Sequence, residues 1–220
     1  MHKMKHELEL LGQQFGTDKR EANNHHAYLD IYQKYLDPHL RENAEVVAEI
    51  GVYTGASVKM WLAYFKKAKI YGFDWSNVFK INTPRYTLIQ GNQVKRSDLA
   101  RLVDAVRSVG FDTIIDDGGH TMEEQQVSLG FLFPFVNSGK LYIIEDLVTS
   151  YAKPVNPRCN WNRSNTEWTT LKILQALQAG DPFESNFMTP DEIAYLQEHA
   201  AKVSIEFGRR SEIAFIEKRG

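Results

Sequence analysis

The chain has 220 residues, 26 basic against 28 acidic side chains, and a formal net charge of -2, long enough for one domain with a substantial core. That near balance gives no nucleic-acid footprint and no polybasic membrane anchor, and the single cysteine, Cys159, excludes an intramolecular disulfide and a cysteine-based zinc site. Met1 to His6 run into charged amphipathic sequence without an apolar signal core, and no run approaches the roughly 20 apolar residues of a bilayer span. The expectation is a cytoplasmic protein with neither membrane nor nucleic acid as partner.

In chain order, residues 1–44 read as two helices packed outside a sheet, a helical lid or extension, with Pro38 closing the second helix. Residues 45–220 read as an α/β domain in which short apolar runs alternate with amphipathic ones. Strands are predicted at 46–50, 70–73, 87–90, 113–116 and 141–144, and helices between them at 56–67, 97–109 and 122–133. A polar stretch from Tyr151 to about Arg163 precedes helices at 167–179 and 191–201. Runs 203–207 and 213–217, joined by Gly208-Arg209-Arg210-Ser211, predict a terminal antiparallel hairpin, which completes a seven-stranded, mostly parallel, Rossmann-like sheet with helices on both faces.

The first strand leads through Glu49-Ile50-Gly51-Val52-Tyr53-Thr54-Gly55-Ala56-Ser57 into a helix. Glycines at such a turn let a ligand approach the backbone, and the helix N-terminus supplies unpaired N–H groups. Asp74, just past the second strand, is where an acid accepts from ribose hydroxyls. Tyr53 stands where a dinucleotide fingerprint needs a glycine against pyrophosphate, so a cofactor without phosphates is favoured over a nicotinamide: S-adenosylmethionine, with Glu49 at its amino acid end. The bland alternative is a tight turn from Gly51 and Gly55 with Asp74 as a cap. Gln90-Gly91-Asn92-Gln93, after the third strand, is either an adenine contact or a plain turn.

Asp116-Asp117-Gly118-Gly119-His120 and Glu145-Asp146 end the fourth and fifth strands, which should be neighbours beside the switch point where open α/β sheets bind ligands. Carboxylates crowded together need a shared proton or a cation. Asp117, Glu145 and Asp146 offer three oxygens to Mg²⁺ or another hard divalent cation, leaving positions for two adjacent substrate oxygens, as on a vicinal diol. His120 is then placed to take the hydroxyl proton; its structural alternative is to cap the helix starting near Thr121.

These motifs, with Phe15-Gly16-Thr17-Asp18-Lys19 followed by His26, Tyr28 and Tyr32, resemble the metal-dependent class I methyltransferases of antibiotic and sugar biosynthesis, the mycinamicin and macrocin O-methyltransferases among them, and the related cephalosporin hydroxylase-like proteins. The resemblance runs from about Phe15 to Tyr151. It implies that Asp117, Glu145 and Asp146 hold Mg²⁺, that His120 is the general base, and that Glu49, Gly51 and Asp74 line the S-adenosylmethionine pocket with Asp116 near it. Tyr53, Gly55, Ser57, Gln90, Asn92 and Gln93 complete the expected cofactor site, although Gly91-Asn92-Gln93 stands where the group carries Gly-Asp-Gln.

Thr17, Asp18 and Lys19 form either a lid reaching the cofactor carboxylate or a helix start capped by Asp18. The loop 151–168, with Trp161, Trp168, Arg158 and Arg163, suits carbohydrate or is ordinary surface. The expected acceptor is a hydroxyl of a sugar or glycosylated natural product. A catechol-like phenol and a non-catalytic S-adenosylmethionine-binding module are the alternatives, and a homo-oligomer is left open.

Overall fold

A computed structural model describes residues 6–22, 25–36, 38–77, 79–151 and 166–220. Strands β1 (Val46–Ile50), β2 (Lys69–Asp74), β3 (Tyr86–Gln90), β4 (Phe111–Asp116), β5 (Val136–Ile144), β6 (Ala200–Phe207) and β7 (Glu212–Lys218) form one seven-stranded sheet in the order β3-β2-β1-β4-β5-β7-β6. β1 to β5 pair in parallel, whereas β7 pairs antiparallel with both β5 and β6. The order reverses between β1 and β4, so the carboxyl ends of those strands open the crevice in which such sheets bind ligands. The Rossmann-like sheet with its terminal hairpin is the architecture that the sequence predicts.

Helices α1 (Glu7–Phe15), α2 (Leu29–Tyr35) and α4 (Ala56–Tyr64) cover one face of the sheet, while α5 (Arg96–Val106), α6 (Met122–Leu132), α7 (Thr170–Ala179) and α8 (Pro190–His199) cover the other. The two-residue period of a strand decides which side chains face which layer. In β1, Val46, Ala48 and Ile50 pack towards α5 and α6, and Val47 packs towards α1, α2 and α4. Ile114 and Ile144 face the first layer, Ile115 and Ile143 the second. By the same alternation Glu49, Asp117 and Glu145 are sent to the side of the N-terminal helices, which places the site.

Most boundaries shift by a few residues from expectation, and three of the differences have an identifiable cause. Pro38 does not close a helix but opens a third short one, α3 (Pro38–Asn43), where its missing N–H costs nothing in the first turn. β5 begins at Val136, five residues earlier than 141, because Asn137, Ser138 and Gly139 resemble a turn in sequence yet continue the strand through a left-handed Gly139 at φ 69°. Ala200 and Ala201, favourable helix residues, are drawn into β6 by pairing with β7.

Candidate active site

The turn after β1 is built by close backbone approach. Gly51 adopts φ 86°, and a Cβ there would sit 1.9 Å from the carbonyl oxygen of Asp117, so only glycine lets the β1 and β4 tips meet. Asp117 N donates to Ile50 O at 2.9 Å across the same junction. Tyr53, also at positive φ (46°), holds its ring in solvent, 80% exposed. Gly55 caps α4 in the left-handed region.

Glu49 is fully buried beneath this turn and accepts from Ser57 Oγ at 2.9 Å and Trp61 Nε1 at 3.0 Å. Burial pushes its carboxyl up to about 7, against the lowering pull of Lys19. Asp74 accepts from the backbone N–H of Val52 (2.8 Å) and Tyr53 (3.0 Å) on one oxygen and from Ser76 N (2.8 Å) and Oγ (2.9 Å) on the other. Burial alone would raise its carboxyl, but these donors together hold it below the usual value. Asp74 thus fastens the glycine turn while standing at its mouth.

Gln90 donates to Trp75 O at 3.0 Å, and Asn92 closes its own turn by accepting from Val94 N at 3.0 Å. With Gly91, Asp98 and Arg101 these residues and the 80%-exposed Trp75 line an open cavity of about 440 Å³ beside Asp74. Trp75 was not singled out in sequence; its signal is a bare indole directly after the acid that ends β2. Gln93 is buried instead and straps two loops together, donating to Asp116 Oδ1 at 2.7 Å and accepting from Gly119 N at 3.1 Å.

Asp116 faces the α6 layer, where it meets Ser128 and, at 3.2 Å, the hydroxyl of Tyr142. Burial raises its carboxyl to about 6 although those partners oppose the shift. The expected convergence of four carboxylates therefore reduces to Asp117, Glu145 and Asp146.

The N-terminal segment supplies the partners of those three. Lys19, fully buried, extends its ammonium to Asp117 Oδ2, to Glu145 Oε2 at 2.8 Å and to within 4.0 Å of Glu49. Burial disfavours the ammonium, but Asp117, Glu145 and Glu49 more than offset that and hold its pKa well above the ordinary value. Tyr32 donates to Glu145 Oε1 at 2.5 Å and Tyr28 to Asp146 Oδ1 at 2.8 Å, while His26 Nδ1 lies 3.0 Å from that same oxygen. Asp146, lowered by His26, His120 and Tyr28 despite burial, is the carboxylate held most firmly ionised, whereas burial raises Asp117 and Glu145.

Thr17 is buried and its Oγ1 accepts from Lys19 N at 3.4 Å. No helix starts at Asp18: α1 ends at Phe15 with Gly16 in the left-handed region, and α2 begins only at Leu29. Segment 17–19 is a turn that aims Lys19 inward. The partnerships of His26, Tyr28 and Tyr32 with the acids were missed in sequence, where only the four-residue spacing of the tyrosines marks them as sharing a helix face.

His120 Nε2 stands 3.7 Å from Asp117 Oδ1 and 3.6 Å from Asp146 Oδ2. It does not cap α6; Thr121 does, in a capping box with Glu124. His120 and Asp146 both hold positive φ, 60° and 55°, a backbone cost that sites tolerate when side-chain aim matters. Asp117, His120 and Asp146 each offer a ligand atom within 4.8 Å of the others. Two carboxylates with a third, Glu145, behind them supply oxygen ligands that fit a hard divalent cation, with the imidazole of His120 beside them. Of the loop 151–168, Arg158, Trp161 and Arg163 lie outside the described residues, as does Cys159; Trp168 packs against the core.

No protein-family model matches the chain. It is 35% identical over 133 residues, 57% of its length, to the 8-demethyl-8-alpha-L-rhamnosyl tetracenomycin-C 2'-O-methyltransferase of Streptomyces olivaceus, of which that stretch is 34%. It is 38% identical over 133 residues, 56% of its length, to the demethylmacrocin O-methyltransferase of Streptomyces fradiae, covering 33% of that protein. The chain thus matches about a third of the length of these curated relatives. In structure, 98% of it superposes on 55% of MycE, a methyltransferase from the mycinamycin biosynthetic pathway solved with Mg, SAH and mycinamycin VI, at a TM-score of 0.75 and 27% identity. The resemblance to the mycinamicin and macrocin O-methyltransferase group holds in sequence and in fold.

Proposed function

We propose that the chain carries the cofactor-binding and catalytic part of an S-adenosylmethionine-dependent, divalent-metal-assisted O-methyltransferase acting on a hydroxyl of a sugar or glycosylated natural product. The observation that carries this reading is the approach of Asp117, His120 and Asp146 to within 4.8 Å at the β4 and β5 tips, against the glycine turn of β1. The relatives are O-methyltransferases by name, one of them for a rhamnosyl group. A cytoplasmic setting accords with the single cysteine.

When bound, the donor supplies a methyl group on a sulfonium and Mg²⁺ supplies Lewis acidity towards the acceptor oxygen. Asp117 and Asp146, with Glu145, would hold the cation through oxygen, the ligand type Mg²⁺ prefers. That leaves the imidazole of His120 to take the acceptor proton at Nε2. The turn 51–57 and Glu49 would orient the methionyl end of the donor, with the buried Thr17–Lys19 turn behind it. Asp74, Gln90 and Asn92 would serve its nucleoside end, the buried Gln93–Asp116 pair bracing the loops around it. Tyr28 and Tyr32 fix the carboxylates and exclude water behind them. Methyl transfer then depends chiefly on alignment of oxygen, carbon and sulfur.

Transfer of labelled methyl from S-adenosylmethionine onto a panel of glycosides with vicinal hydroxyls, and of catechols, tests this. Incorporation into glycosides is expected. Incorporation into catechols alone redirects the acceptor, and a chain that binds S-adenosylhomocysteine yet methylates neither class contradicts the reading.

A further inference from the structure

The cation that the carboxylates hold in this structure belongs to the chain itself. Lys19 is fully buried, its ammonium bridges Asp117 and Glu145, and its nearest other acid is Glu49 at 4.0 Å. A lysine is rarely fully buried unless paired, and here three carboxylates from three strands converge on it. Its position follows from the fold: the turn after α1 delivers it to the face to which strand alternation sends all three acids.

We propose that Lys19 is an internal counter-cation that pre-assembles the metal site and restrains its affinity. Without metal, the ammonium offsets the repulsion that would drive Asp117 and Glu145 apart. A divalent ion held by Asp117 and Asp146 must either share carboxylates with that ammonium or displace it, and in both cases meets a like charge at short range. The restraint keeps the metal exchangeable rather than locked in. This inference rests on the metal reading given above, and its test separates the two.

Metal-stripped full-length chain is titrated with Mg²⁺ by calorimetry and by thermal unfolding. Relative to wild type, Lys19→Met should lower the melting temperature without metal, bind Mg²⁺ about tenfold more tightly because the repelling charge is gone, and gain more stability from saturating Mg²⁺. If Lys19→Met does not fold, the comparison is made between Glu145→Gln and Lys19→Met/Glu145→Gln, whose paired change leaves the net charge of the cluster unaltered; the double variant should bind Mg²⁺ more tightly. Unchanged or weaker Mg²⁺ binding on loss of Lys19, with wild type binding the ion, overturns the role of Lys19 alone. Failure of every variant and of wild type to bind Mg²⁺, with S-adenosylhomocysteine still bound, overturns the metal reading and this inference with it.

Discussion

His120 faces two carboxylates at 3.6 and 3.7 Å, too far for a direct hydrogen bond and close enough to steady an imidazolium once it forms. On the proposed reading a group so placed acts on the acceptor proton rather than on donor binding. His120→Ala should therefore lower kcat by about 10²- to 10⁴-fold while leaving the Kd for S-adenosylhomocysteine within a few-fold, read by turnover and by calorimetry. An unchanged kcat would move the base elsewhere. Asp74 makes a different prediction. Its carboxyl is held below the ordinary value of 3.8 by backbone donors, so the unfolded chain binds a proton where the folded one does not. The resulting stability is fully present above pH about 3.8 and lost as pH falls through the folded value. Asp74→Asn should unfold at a lower temperature at neutral pH and lose part of the acid sensitivity, so that the gap between it and wild type narrows from pH 6 to pH 3.

At the scale of elements, Gly51 joins β1 to β4 by a contact that no side chain permits. Gly51→Ala should cost about 1–3 kcal/mol of stability and displace Asp117, weakening Mg²⁺ and cofactor together, whereas a purely local strain would leave both affinities intact. The glycine was legible in sequence because a strand, a glycine turn and a helix follow one another. β1 was legible to its exact ends, since Val46 to Ile50 is an unbroken apolar run around Glu49. The amino end of β5 was not, because Asn137 to Lys140 carry turn-type residues in an irregular stretch between the Phe111–Val136 and Thr113–Leu141 pairs with β4, a non-local anchor that a local pattern does not contain. In the site, the clustering of Asp117, Glu145 and Asp146 at two strand tips was readable. The separation of Asp116 was also implicit in the two-residue period, yet it shows only once Ile115 and Ile114 are assigned to opposite layers. Lys19, His26, Tyr28 and Tyr32 stood out as residues, but their pairing with the acids was not legible, because those partners lie about a hundred residues or more away in sequence.

For the molecule as a whole, those long-range contacts change how the N-terminal helices are understood. Leu8, Tyr28, Leu29 and Tyr32 share one apolar layer with Trp61, Ile115, Ile143 and Phe215, and the same segment delivers Lys19 to the acids. The described chain should accordingly unfold in one calorimetric transition. A chain beginning at Glu45 should lose that transition and bind neither Mg²⁺ nor S-adenosylhomocysteine; an independently folded 45–220 domain would show two separable units instead. No helix among the described residues is long and apolar enough to cross a membrane. The most direct test of the whole account is methyl transfer measured beside S-adenosylhomocysteine binding, with EDTA added and in Asp117→Ala. The account predicts that both treatments abolish transfer, that Mg²⁺ restores it only after EDTA, and that the nucleoside still binds. Transfer that survives both would contradict it.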